Sequence, residues 1–249
     1  MDSIKIQQDK HSDIINIFKT EYDLYLSDEI LLEIEKHKYE KIRLQWLGNS
    51  PINNLPQCIT YLEIYESDAF NKPIDNLPIH LHTLIIQSYD FNQFLDYLPL
   101  NLKKLKIQCE LFNKPLDNLP PALEMLVLDS IIKYSYDLLN LPNSIKTLNL
   151  NICNEHRISV KIPESLEKLE LACNIDNINE LPDTITHLIL FSMAYDYDNI
   201  SKLPTNLQQI TFGQRYKQMY KALYKKIIRI IKTMPENILI KYHESDIIP

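Results

Sequence analysis

The stretch FNKPLDNLPPALEMLVL, Phe112–Leu128, returns almost intact as FNKPIDNLPIHLHTLII, Phe70–Ile86. Its core, a Leu-Pro dipeptide followed by apolar residues three, six and eight positions later, runs through most of the chain. The dipeptide stands at Leu55-Pro56, Leu77-Pro78, Leu98-Pro99, Leu119-Pro120, Leu141-Pro142, Leu181-Pro182 and Leu203-Pro204, with Ile162-Pro163 completing the series. Successive prolines are 22, 21, 21, 22, 21, 19 and 22 residues apart. The three following positions are apolar in all eight units, from Ile59, Leu62 and Ile64 to Leu207, Ile210 and Phe212. Self-similarity at a fixed period of this size marks a repeat architecture.

Positions six and eight alternate with polar or mixed residues, the period of a short strand with one buried face. The proline precedes the strand, where its missing N–H costs little. Turn formers such as Asp75-Asn76 and Asp117-Asn118 separate the strands, and Pro51, Pro73 and Pro115 stiffen the bend four residues before the leucine. One unit of about 21 residues buries too little apolar surface to offset its ordering entropy, so units must stack and share a core. The expected fold is a solenoid of the α/β class, with a parallel β-sheet arc and irregular convex segments. Nine strands spaced about 4.8 Å apart would give the sheet a length near 40 Å.

The pattern Leu-x-x-Leu-x-Leu after each proline resembles leucine-rich repeats, and the two Phe-Asn-Lys-Pro stretches resemble the FNIP subclass. Phe91-Asn92 keeps half of that signature and Tyr134-Ser135 a weakened form, while later units lack it. The resemblance covers residues 41–213. Such proteins are numerous in social amoebae and in large viruses of amoebae, and the resemblance implies protein binding rather than catalysis. The N-terminus, MDSIKIQQDK, carries no apolar signal region and the cysteines show no paired spacing, so an intracellular, cytoplasmic location is expected, the host cytoplasm for a viral protein.

Three segments follow: 1–46, a helical N-terminal cap with a first strand; 47–213, eight repeats of 19–22 residues; and 214–249, a capping helix with an edge strand. Within 12–39 the sequence predicts two helices, one capped by Ser12 before Ile14, Ile15, Ile17 and Phe18, the other by Ser27. Lys41–Trp46 supplies the opening strand. Residues 25–34, YLSDEILLEI, also resemble the start of an F-box, the helical motif that docks on the Skp-type adaptor of ubiquitin ligases. Adaptor contact would then fall to Leu26, Ile30, Leu31 and Ile34, and the repeats would hold the ligase substrate. Ser27 departs from that motif, which prefers proline there. The same residues serve equally as a plain cap.

Residues 214–233 carry seven basic side chains and no acid, whereas the total charge is −7. Apolar residues form one helical stripe there, Tyr216, Met219, Tyr220, Leu223, Ile227, Ile230, Ile231 and Met234. Such a helix can cover the last repeat, or lie on a membrane or nucleic acid. The acidic remainder argues against nucleic acid as a partner of the body. No run of apolar residues is long enough for a membrane span.

Chemistry-bearing motifs are scarce. Two glycines, Gly48 and Gly213, leave no phosphate-binding loop or dinucleotide fingerprint. Cys58, Cys109, Cys153 and Cys173 read as free buried thiols, and His80 and His82 lack a third ligand at metal spacing. No catalytic residue, metal or cofactor is expected. What remains is a surface. Positions five, seven and nine after each proline should face the concave side, placing Tyr61, Glu63, Tyr65, Ile85, Gln87, Lys104, Lys106, Met125, Val127, Asp129, Asn149, Ile189 and Phe191 toward a protein partner. Residues of these types also suit a strand for its own sake. Three lysines against three acids (Glu63, Asp129 and Glu170) make this face neutral by count.

Overall fold

The computed structural model describes residues 5–8, 13–18, 28–45, 49, 51–65, 69–152, 157–191, 200–213, 221–234 and 238–242. Among the described residues, twelve strands form one sheet in strict chain order: β1 (Lys5–Gln8), β2 (Ile15–Phe18), β3 (Lys41–Gln45), β4 (Tyr61–Tyr65), β5 (Thr83–Gln87), β6 (Lys104–Gln108), β7 (Met125–Ile131), β8 (Thr147–Ile152), β9 (Lys168–Leu171), β10 (His187–Leu190), β11 (Gln209–Phe212) and β12 (Leu239–Tyr242). β1 and β2 pair antiparallel, and every later neighbouring pair is parallel. The chain is a leucine-rich-repeat-like solenoid.

Register follows the repeat. Leu62 pairs with Leu84, then Leu105, Leu126, Leu148, Leu169, Leu188 and Ile210 in line across the sheet. All twenty-four apolar positions that follow the eight prolines are at most 1% exposed. The first of the three also closes a turn: its amide donates to the carbonyl of the proline three residues earlier at 2.9–3.2 Å, from Ile59 on Pro56 to Leu207 on Pro204. Proline suits that place, since only its carbonyl is used. The residue after the turn, such as His82, offers its carbonyl to two successive amides of the next unit, Lys103 and Lys104, both at 2.9 Å.

The Phe-Asn pair has a structural reason on the side away from the sheet. Phe70, Phe91, Phe112 and Tyr134 stack in parallel, with centroids 5.8, 6.3 and 6.3 Å apart, and all four are 0% exposed. Beside them the Asn71 carboxamide oxygen accepts the amide of Asn92 at 3.0 Å, that of Asn92 accepts Asn113 at 2.9 Å, and that of Asn113 accepts Ser135 at 3.0 Å. Each asparagine thereby satisfies a backbone donor that irregular structure would otherwise orphan. Tyr134 and Ser135 continue both columns where the signature weakens. At the sheet, Ser130 adopts a left-handed φ of 58° where the β7–β8 register shifts, and the resulting bulge returns Ile131 to the core.

The N-terminal expectation needs correction. Where a helix capped by Ser12 was expected, β2 runs parallel to β3, with Ile15 on Ile42 and Ile17 on Leu44. Ile15 and Ile17 are 4% and 2% exposed, a period of two rather than 3.6. β-branched residues beside an existing strand edge gain more from pairing than from a short helix. The sheet is therefore longer than nine strands, near 50 Å at about 4.8 Å per strand.

Helix α1 (Asp28–His37) follows. It ends at Lys38 in the left-handed region (φ 52°), with the Tyr39 amide bonded to the Ile34 carbonyl at 3.1 Å. Ile30 and Ile34 are buried in the common core and Leu31 packs against it, while Leu32 is exposed. Two of the side chains assigned to an adaptor are thus occupied internally, and Leu26 lies outside the described residues. At the other end, helix α2 (Lys221–Ile231) buries Leu223, Ile227 and Ile231 in the same core. Lys221, Lys225, Arg229 and Lys232 are exposed. No helix among the described residues is long and apolar enough to cross a membrane.

Candidate functional site

With positions three, six and eight of each unit spent on the core, the residues between them project from the opposite, open face of the sheet. Burial alternates accordingly along β5, β6, β7, β8, β9 and β10. The parallel register lines these residues up across the strands. One row, at position five, reads Tyr61, Thr83, Lys104, Met125, Thr147, Lys168, His187, Gln209. A second, at position seven, reads Arg43, Glu63, Ile85, Lys106, Val127, Asn149, Glu170, Ile189, Thr211.

Tyr61, Tyr65, Ile85, Met125, Val127, Ile189 and Phe191 are all partly exposed on this face. They do not form one patch. Tyr61, Tyr65 and Ile85 lie on β4 and β5, Met125 and Val127 on β7, and Ile189 with the adjoining Phe191 at β10, with the lysines of β6 between the first two groups. Gln87 closes the β5 side of the same face, and Asn149 lies beside Val127, its side-chain oxygen shielded and accepting no hydrogen bond.

The acids of the face are internally engaged. Glu63 is only 7% exposed. Its carboxylate receives Arg43 Nε at 2.8 Å and the Tyr61 hydroxyl at 2.6 Å. Burial, followed by this bond to a carboxylate, pushes the Tyr61 phenol up to about 12. The Arg43 guanidinium also sits 5.4 Å from the Tyr65 ring centroid. Asp129 accepts Asn151 Nδ2 at 2.6 Å and Ser130 Oγ at 3.4 Å, with Lys106 Nζ at 3.9 Å. Glu170 has an interaction of its own.

Sequence reasoning placed Glu63 among partner-facing groups, whereas it is a buried support for Arg43 and Tyr61. Arg43 was missed because β3 precedes the first Leu-Pro unit; its pairing opposite Glu63 was the available signal.

Cys109 and Cys173 are buried as expected and Cys58 is only half-buried, and burial pushes the Cys109 thiol up to about 12, away from the reactive thiolate. Cys153 lies outside the described residues. His80 and His82 are exposed, and no group of three His, Cys, Asp or Glu side chains among the described residues could hold a metal ion.

No family model and no curated protein matches the chain. Among solved structures, the chain is similar to CroV588, described as a circular LRR protein, at 21% identity and a TM-score of 0.44 over 70% of this chain. It spans 34% of that protein's length.

Proposed function

We propose that the chain is a protein-interaction module whose partner lies across the open, concave face of the sheet. The observation that carries this reading is the set of partly exposed aromatic and aliphatic side chains on a regular, hydrogen-bonded platform, on the side where the core has no use for them. Scattered large apolar anchors amid polar neighbours are the composition of a protein interface. A parallel sheet also holds them rigidly, so binding costs little ordering of the backbone.

The two ends serve the platform as covers. α2 lays its apolar stripe over the last repeat, and β1, β2 and α1 close the first, as an open solenoid requires. The adaptor-docking reading is set aside, since Ile30 and Ile34 would have to leave the core to reach an adaptor.

Affinity purification from the native cell with the wild-type chain, run beside Tyr65→Ala and Met125→Ala, tests the proposal. A partner held by the wild type and lost from both folded variants supports it. A partner held equally by all three places the binding surface elsewhere.

A further inference from the structure

We infer that the partner segment of this face is acidic, with its carboxylates drawn to Lys104 and Lys168. The inference rests on the concave-face reading and deepens it. Counted over the eight repeats alone the face is neutral, but Arg43 of β3 adds a fourth cation to it, and counting ignores which charges are already engaged. Glu63 is buried and held by Arg43 and Tyr61. Asp129 accepts from Asn151 and Ser130 and lies near Lys106, and Glu170 is also engaged. Lys104 and Lys168, in contrast, are exposed and have no ion-pair partner among the described residues.

Arg43 offsets Glu63 and Lys106 offsets Asp129, which leaves Lys104 and Lys168 against Glu170, so the charge left over for a partner is positive. The two lysines share the position-five row, which holds no acid from Tyr61 to Gln209. Three strand steps separate them, through Met125 and Thr147, which is about 14 Å at about 4.8 Å per strand. A segment with carboxylates that far apart and an apolar side chain between them would meet both lysines and cover Met125. Complementary charge of this kind steers encounter and rejects partners of the wrong sign more than it adds raw affinity.

The probe is a displayed library of random 15-residue peptides selected against the purified chain, with binding of enriched peptides then measured to three variants. Expected is a pool enriched in Asp and Glu, whose binding falls about tenfold on the double substitution Lys104→Gln with Lys168→Gln, and also falls on Met125→Ala. Added salt should weaken the same peptides several-fold between about 0.05 and 0.5 M, because exposed pairs are screened. Both lysines are exposed, so an unchanged melting temperature in the double variant is the check on folding.

A neutral or basic pool, or no enrichment over uncoated beads, overturns the inference. Peptides that ignore the lysine pair but need Met125 also overturn it, while leaving the concave face in place. Peptides that ignore both sites remove the concave reading itself. Acidic peptides lost instead on Lys225→Gln with Arg229→Gln would locate the anion site on α2 and equally overturn the assignment to Lys104 and Lys168.

Discussion

Phe91 and Phe94 are the same residue three positions apart, and the fold assigns them opposite fates. Phe91 is 0% exposed between the rings of Phe70 and Phe112, at 5.8 and 6.3 Å, whereas Phe94 is 51% exposed in the column where other repeats carry proline. Truncating a fully buried phenylalanine to alanine costs about 3–5 kcal/mol. Stacked aromatic pairs add about 0.5–1.5 kcal/mol each, and Phe91 takes part in two. Phe91→Ala should therefore cost at least about 4 kcal/mol. Phe94→Ala loses a half-exposed ring and its contact with Lys114 Nζ, 4.7 Å from the centroid, and should cost no more than about 0.5–1 kcal/mol. In urea, with an m-value of about 3 kcal/mol/M, the Phe91 variant should unfold more than about 1 M earlier, followed by circular dichroism. Midpoints for the two variants within about 0.3 M of each other would refute the ring column as a structural spine.

The alternation on β7 predicts that Leu126→Asp, which puts a charge at a 0% exposed position, unfolds the chain, while Val127→Asp leaves the melting temperature nearly unchanged; equal shifts would overturn the register. Removing the Asn92 carboxamide by Asn92→Ala leaves the half-buried amide of Asn113 without its 2.9 Å acceptor and should cost about 0.5–1.5 kcal/mol in thermal or urea unfolding. Stability should also fall at alkaline pH. Burial and then hydrogen bonding to Glu63 raise Tyr61 to about 12, burial raises Cys109 to about 12, burial also raises Tyr134, and the bond to Tyr224 raises Tyr242 to about 12. For groups whose folded value lies above the unfolded 9.0 or 10.0, the stabilisation is complete below that unfolded value and is lost as pH rises toward the folded one. The melting temperature should thus decline between about pH 9 and 12; a melting temperature that stays flat across that window would contradict this.

The repeat was legible because Leu-Pro marks the register and every later position counts from it. Ile59 closes a turn and Leu62 and Ile64 enter the core by the same arithmetic that places Leu207, Ile210 and Phe212. The N-terminus was less so. Ile14, Ile15, Ile17 and Phe18 fit a helical stripe as well as a strand, and only the neighbouring edge of β3, more than twenty residues away, decides for β2. The same distance hides the asparagine column, since Asn71 finds its donor in Asn92, one full repeat later. On the open face, side-chain identities were legible but their engagement was not. Glu63 and Asp129 count as surface charges until Arg43, Tyr61 and Asn151 are placed around them.

A photoreactive phenylalanine analogue placed at position 127, at position 117 or at position 139, one variant at a time, puts a crosslinker on the open face or among the turns of the opposite side. With a partner recovered from the native cell, the concave-face account predicts an efficient crosslink from position 127 and background yield from positions 117 and 139. Crosslinks from 117 or 139 with none from 127 would contradict it and move the functional surface to the turns.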